Sequence, residues 1–186
     1  MSGFRRTAER QVHQGYVWRL VTADYESPDG APFTRDIVRS PGAVGVVPVL
    51  EPEPGRFEIV LVRQWRAPYE TELWEIPAGM RDVEGEDPAE TARRELIEEA
   101  GYRAGSVEEL GRIYPSPGLT DAITWIYLAT ELTPVAQDLQ GPEEEHLVVE
   151  VVALEEAVAM VDRGEILDAK TVVGVLRAAR RLAPGR

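Results

Sequence analysis

Residues 87–101, DPAETARRELIEEAG, limit the possible folds of this chain more than any other stretch, because both ends of a helix are written into them. Asp87 is a residue type that accepts hydrogen bonds from the unpaired amides of a first helical turn, and Pro88 has the fixed φ that suits the first helical position. Glu90 complements the positive end of the helix. Gly101, one residue past Ala100, supplies a left-handed stop. Between these signals Ala89, Ala92, Leu96 and Ala100 recur at helical spacing and form one narrow apolar stripe. Such a helix must bury its stripe against another element, and the segments on either side have the character of strands.

From about residue 11 to 64 the pattern is β-like. VWRLVTADY and PFTRDIVRS are joined by SPDG, whose Pro-Asp-Gly chemistry closes a hairpin. AVGVVPVL and FEIVLVRQW are short, valine-rich and bounded by Pro and Gly, so they read as buried strands. LWEIPAG is a further strand leading into a loop. After the helix, AITWIYLATEL and HLVVEVVAL read as strands, EEAVAMVDRG as a helix closed by Gly164, and DAKTVVGVLRAARRL as a terminal amphipathic helix. Strands, one helix, more strands and then helices is the order of an α+β protein. A chain of 186 residues has room for one domain with a small appended subdomain.

The formal net charge of −13 excludes a general nucleic-acid binder, since the phosphate backbone would be repelled. A small phosphate ester remains an acceptable ligand where divalent cations invert the local potential. The chain has no apolar run of about 18 residues, and MSGFRRTAERQVHQG lacks the apolar core of a secretory signal, so no membrane partner is expected. The absence of cysteine fits a reducing compartment, and the expected location is the cytoplasm.

Glu95, Glu98 and Glu99 stand three and four residues apart, which crowds their charge onto one helical face. Like charges so placed cost a few tenths of a kcal/mol per pair and are either left in water or neutralised by cations. Taken with Glu86, separated by seven residues from the run Arg94-Glu95-Leu96-Ile97-Glu98-Glu99-Ala100-Gly101-Tyr102, they resemble the signature of the Nudix hydrolases, E-x7-R-E-U-x-E-E-x-G-U, where U is apolar. The resemblance implies a Nudix α/β/α sandwich with a mixed central sheet, residues 43–186, preceded by a small N-terminal antiparallel β subdomain, residues 1–42. It further implies that Glu95, Glu98, Glu99 and the carbonyl of Ala78 ligate metal. Arg94 and Glu86 pair to hold helix and loop together, and with Glu98 they count among the catalytic residues. Hard oxygen donors suit Mg²⁺, with Mn²⁺ able to substitute. The glutamates are expected beside the apolar stripe, on a more exposed face. At one point the chain departs from the family pattern: Met80 stands where the family has glycine, and Gly79 comes one residue earlier. This reads as a one-residue insertion within MRDVEG, absorbed by Gly85.

Further stretches resemble the ADP-ribose pyrophosphatase branch of the family. In VRQWRAPYETELWEIPAG, the resemblance implies substrate-binding roles for Arg63, Gln64, Arg66 and Glu75. In PSPGLTD, Pro117 takes the place of a proline that marks the branch. The N-terminal hairpin region resembles the extra subdomain through which these enzymes form a swapped homodimer. The acidic loop 142–146, PEEEH, falls where the branch carries a catalytic glutamate on a mobile loop, and Glu144 or Glu143 is the expected general base. The implied partner is a small nucleoside diphosphate, and the implied reaction is Mg²⁺-dependent hydrolysis of ADP-ribose to AMP and ribose 5-phosphate. Two alternatives are hydrolysis of another nucleoside diphosphate sugar, such as GDP-mannose, and a sensor that binds without cleaving. The presence of every motif glutamate disfavours the sensor.

Overall fold

The structure, a computed structural model, describes residues 3–140 and 146–183, and the chain divides into two compact units. The first unit holds strands β1 (Arg5–Gln14), β2 (Arg19–Glu26) and β3 (Pro32–Arg39), antiparallel in the order β1-β2-β3. SPDG closes the β2–β3 hairpin as expected: the amide of Gly30, at φ 87°, donates to the Ser27 carbonyl at 2.9 Å, and Ala31 donates to the Ser27 hydroxyl at 3.0 Å. β1 begins at Arg5, ahead of the β-like pattern in the sequence. All ten of its residues are exposed, so neither face carries the apolar alternation by which a strand is recognised. Tyr114–Ile123 clusters with this unit, where Val38 donates to the Leu119 carbonyl at 2.9 Å and Arg39 pairs with Asp121 at 2.9 Å.

The second unit contains strands β4 (Ala43–Glu53), β5 (Arg56–Arg66), β6 (Thr71–Glu75), β7 (Ala78–Met80), β8 (Tyr102–Ile113), β9 (Thr124–Pro134) and β10 (Val148–Ala153). Its helices are α1 (Pro88–Ala100), α2 (Leu154–Asp162) and α3 (Ala169–Leu182). The sheet runs β10-β5-β4-β9-β8, with β6 on β5 and β7 on β4. It is mixed, because β4 and β9 are parallel while the other pairs are antiparallel.

Helices cover both faces, giving the α/β/α layering. Val44 and Val46 of β4 pack with Ala92, Leu96 and Ala100 of α1, while Val47 and Val49 pack with residues of α2 and α3. A strand buried on both sides reads as a continuous apolar run, which is why AVGVVPVL shows no alternation. Complete burial of a side chain such as Leu96 contributes about 1.5–3 kcal/mol. β8 is a twelve-residue strand on β9 that the sequence does not announce. It ends the strand order and is largely exposed, and its RAGSVEELGRI has too few apolar residues to set a period.

Candidate active site

The two ends of α1 form as the sequence requires. The Asp87 carboxylate accepts the Ala89 amide at 2.8 Å, and Gly101 turns left-handed at φ 70° with its amide on the Ile97 carbonyl at 3.1 Å. With its stripe anchored in the sheet, the helix is a rigid base for the residues beside that stripe.

Those residues are not on an exposed face, contrary to the expectation from the sequence. Glu95 and Glu99 are only 7% and 3% exposed. The cause is β7, which pairs with β4 and carries the loop across this side of α1. The Ala78 amide donates to Glu99 Oε2 at 2.8 Å. Gly79 lies so close to the Glu95 carboxylate that a methyl group at its Cα would collide with it. Glycine is required at this position for space. The displaced glycine of the motif is therefore a packing element in its own right.

Arg94 sits among the acidic groups. Its Nη1 lies 2.8 Å from Glu95 Oε1 and 2.9 Å from Glu98 Oε2, and its Nη2 lies 3.4 Å from Glu86 Oε2. Burial works against the charge of this guanidinium, but Glu95, Glu86 and Glu98 outweigh it and raise its pKa above the ordinary arginine value. Burial likewise opposes the charge of Glu86, but the Thr91 hydroxyl at 2.7 Å and Arg94 hold its carboxyl below the usual range. Arg81, a residue the motif does not name, ties down the loop. Its guanidinium lies 4.6 Å from the centre of the Trp125 ring and donates to the Glu86 carbonyl at 3.0 Å. Gly85 turns this loop at φ 79°, in the left-handed region that glycine adopts freely.

The donors suit a divalent cation: three carboxylates on adjoining turns, with the peptide of Ala78 bonded to one of them, are the hard oxygen set that Mg²⁺ or Mn²⁺ takes. Buried carboxylates gathered on one face need compensating positive charge. Arg94 supplies it here, and Glu95 and Glu98 turn toward its guanidinium. Among the described residues no three acidic or histidine side chains converge on a common point.

The other predicted residues separate into groups. Neighbouring residues of a strand face opposite sides, so Arg63 shares a face with Trp74, while Gln64 and Arg66 share the other. Arg63 pairs with Glu72 at 3.2 Å and lies 5.5 Å from the centre of the Trp74 ring. Gln64 is 4% exposed, and its carbonyl oxygen has no hydrogen-bond partner among the described residues. Arg66 grips Glu75 in a two-pronged pair, Nε to Oε1 at 2.6 Å and Nη2 to Oε2 at 2.8 Å. Glu75 also accepts from Lys170 of α3, which sequence reasoning missed. The only signal was DAKT, read simply as a helix start. Pro117 belongs to the first unit, and Glu143 and Glu144 lie outside the described residues.

The Glu75 pair has a measurable signature in acid. Burial would raise the Glu75 carboxyl, but Arg66 and Lys170 outweigh it and hold the group below its ordinary 4.5. The unfolded chain therefore binds this proton more tightly. The resulting stability is complete above about 4.5 and is lost as pH falls through the lower folded value. Urea melts across this range should show wild-type stability falling with pH. Glu75→Gln should flatten that slope by up to about 1.4 kcal/mol per pH unit, and an unchanged slope would place the acid-sensitive charge elsewhere.

Comparison with known proteins places this geometry in a family. Residues 39–172 match the NUDIX domain. The chain is 39% identical over 168 residues to an ADP-ribose pyrophosphatase of Bacillus subtilis, covering 90% of this chain and 88% of that one. It is 38% identical over 165 residues to a methanol dehydrogenase activator of Bacillus methanolicus, covering 89% and 86%. A solved structure described as an ADP compounds hydrolase superposes with a TM-score of 0.81 over 96% of this chain and 94% of that one, at 21% identity, a likeness of fold. No helix among the described residues is long and apolar enough to cross a membrane. The signature helix, the loop strand packed over its glutamates and the match across most of the chain lead to one conclusion: the chain belongs to the NUDIX domain family.

Proposed function

We propose that this Nudix hydrolase cleaves the pyrophosphate bond of ADP-ribose to AMP and ribose 5-phosphate in a Mg²⁺-dependent reaction. The observation that carries this reading is the bond from the Ala78 amide to Glu99, which fixes the loop to the carboxylate helix at the point where the family signature gathers its oxygen donors. The 39% identity to an ADP-ribose pyrophosphatase along nearly the whole chain supports the choice of substrate.

Glu95, Glu98, Glu99 and the Ala78 carbonyl are the groups that would hold the cation. When bound, it supplies positive charge for the pyrophosphate oxygens and lowers the pKa of attacking water. The chain's own residues do the positioning. Arg94 and Glu86 lock helix to loop, and Gly79 leaves the room in which Glu95 sits. Arg66, oriented by Glu75 and partly exposed, offers a guanidinium edge to the substrate's phosphates. Gln64 shares its face of β5, while Arg63, on the opposite face, and Pro117 are assigned further substrate contacts. A glutamate of the acidic loop, Glu144 or Glu143, takes the proton of the attacking water.

The N-terminal β subdomain, residues 1–42, joins two copies into a homodimer. In support, β1 is exposed along its whole length, and Phe4, Val12 and Trp18 of this unit are solvent-facing. The Bacillus methanolicus relative is named for its effect on another enzyme, so a substrate panel is the decisive experiment. Purified protein with millimolar Mg²⁺ is given ADP-ribose, ADP-sugars, GDP-mannose, NADH and diadenosine polyphosphates, with products identified by mass. AMP and ribose 5-phosphate should form fastest from ADP-ribose, and preference for another member of the panel would overturn the assignment.

A further inference from the structure

Beyond the groups the signature names, α3 reaches the strand that leads into the active-site loop and holds it at consecutive positions. Lys170 Nζ bonds to the Glu75 carboxylate and to Asp168 Oδ2, the latter at 3.0 Å. The Ile76 amide donates to Thr171 Oγ1 at 2.9 Å, and Thr171 in turn donates to Asp168 at 2.6 Å. Pro77 accepts from the Val46 amide at 2.9 Å, and Ala78 donates to Glu99. Thr171 accounts for the mechanical anchoring of this strand, which leaves the charge on Lys170 to be explained.

Glu75 is 2% exposed and already has both oxygens on Arg66, so a second cation is not needed to satisfy its hydrogen bonds. Lys170 instead completes a charge balance. Arg66 and Lys170 carry two positive charges, and Glu75 and Asp168 carry two negative ones. Arg66 also lies within the fields of Glu99 and Asp168. Without Lys170 the guanidinium would sit in a cluster of net charge −1, with its own charge spent on a buried carboxylate.

We infer that Lys170 is a positioning residue for substrate binding: by neutralising Glu75 and Asp168 from the side of α3, it leaves the charge of Arg66 available to an anionic phosphate. This inference rests on the reading that Arg66 meets the substrate's phosphates. Lys170→Met should raise KM on the order of tenfold, the influence of one unit charge several ångströms away in a half-wet site, with kcat within about threefold of wild type. Lys170→Arg, which keeps the charge, should return KM to within about threefold of wild type.

The test that separates charge from scaffolding is the double variant Lys170→Met/Glu75→Gln. It restores the net charge of the cluster, since one cation and one anion remain, and it should bind substrate better than Lys170→Met alone. A purely structural lysine predicts the reverse, because the double variant has lost more contacts, and KM equal to or above that of Lys170→Met would overturn the inference. An unchanged KM in a folded Lys170→Met protein would overturn it equally. If that variant unfolds, Lys170→Gln removes the same charge with a side chain that can still donate to Glu75. Kinetics are run on whichever nucleoside diphosphate the wild type cleaves best. Failure of ADP-ribose in the panel then tests the proposed substrate, while the order of KM among these variants tests Lys170.

Discussion

Replacing Glu99 by glutamine should lower turnover by at least about a hundredfold and leave the fold intact. The substitution keeps the shape of the side chain, and the amide oxygen can still accept the Ala78 N–H that Oε2 accepts at 2.8 Å. It removes one negative charge from a position only 3% exposed. Loss of a residue that merely orients a metal ligand typically costs ten- to a hundredfold in affinity or activity, and loss of a charged ligand costs at least the upper end of that range. Rates measured across a Mg²⁺ series should show a higher metal requirement as well as a lower ceiling. Thermal unfolding should stay close to wild type, because one buried acid has been exchanged for a neutral isostere in a cluster that Arg94 already serves. Undiminished turnover at ordinary Mg²⁺ would refute the metal-site role of α1.

Much of this arrangement is legible in the sequence because it is local. Asp87, Pro88 and Gly101 act within a residue or two of themselves, so the bounds of α1 follow from residue type. The valine run of β4 declares a strand buried on both faces for the same reason. β1 and β8 do not declare themselves, because an exposed strand is held by backbone hydrogen bonds to its neighbour, and those carry no residue signature. The same boundary runs through the site. Spacing puts Glu95, Glu98 and Glu99 on one helical face, but whether that face is wet depends on where β7 lands, and that is set by its pairing with β4, where Val44 meets Gly79, a partner distant in the chain. Lys170 and Glu75 are 95 residues apart, and no pattern within DAKT or LWEIPAG links them. Arg63 and Arg66 show the opposite case. Period two already places them on opposite faces of one strand, and the β5–β6 register then brings Arg63 beside Trp74 and Arg66 onto the face of Glu75.

Adding a single methyl group at Gly79 should disable the site from the side of the loop. In the extended backbone of β7 an alanine has no conformational penalty to pay, so any effect comes from contact. The new Cβ would occupy the place of the Glu95 carboxylate. Either β7 lifts away from β4, which pairs Val44 with Gly79, or Glu95 swings out of its bond to Arg94. Overpacking of this kind costs about 1–3 kcal/mol of stability, and misplacing a catalytic group by about 1 Å can cost on the order of a hundredfold in rate. Gly55→Ala is the informative comparison. Gly55 turns the chain between β4 and β5 at φ 78° with no described residue near its missing Cβ, so alanine there adds backbone strain of about 1–2 kcal/mol and meets no neighbour among the described residues. Chemical unfolding and steady-state rates should separate the two variants: comparable losses of stability, and a large loss of turnover for Gly79→Ala alone. If Gly79→Ala folds and turns over at the wild-type rate, the position of Glu95 under the loop does not govern the chemistry, and the catalytic oxygens must be sought among Glu98, Glu99 and the acidic loop.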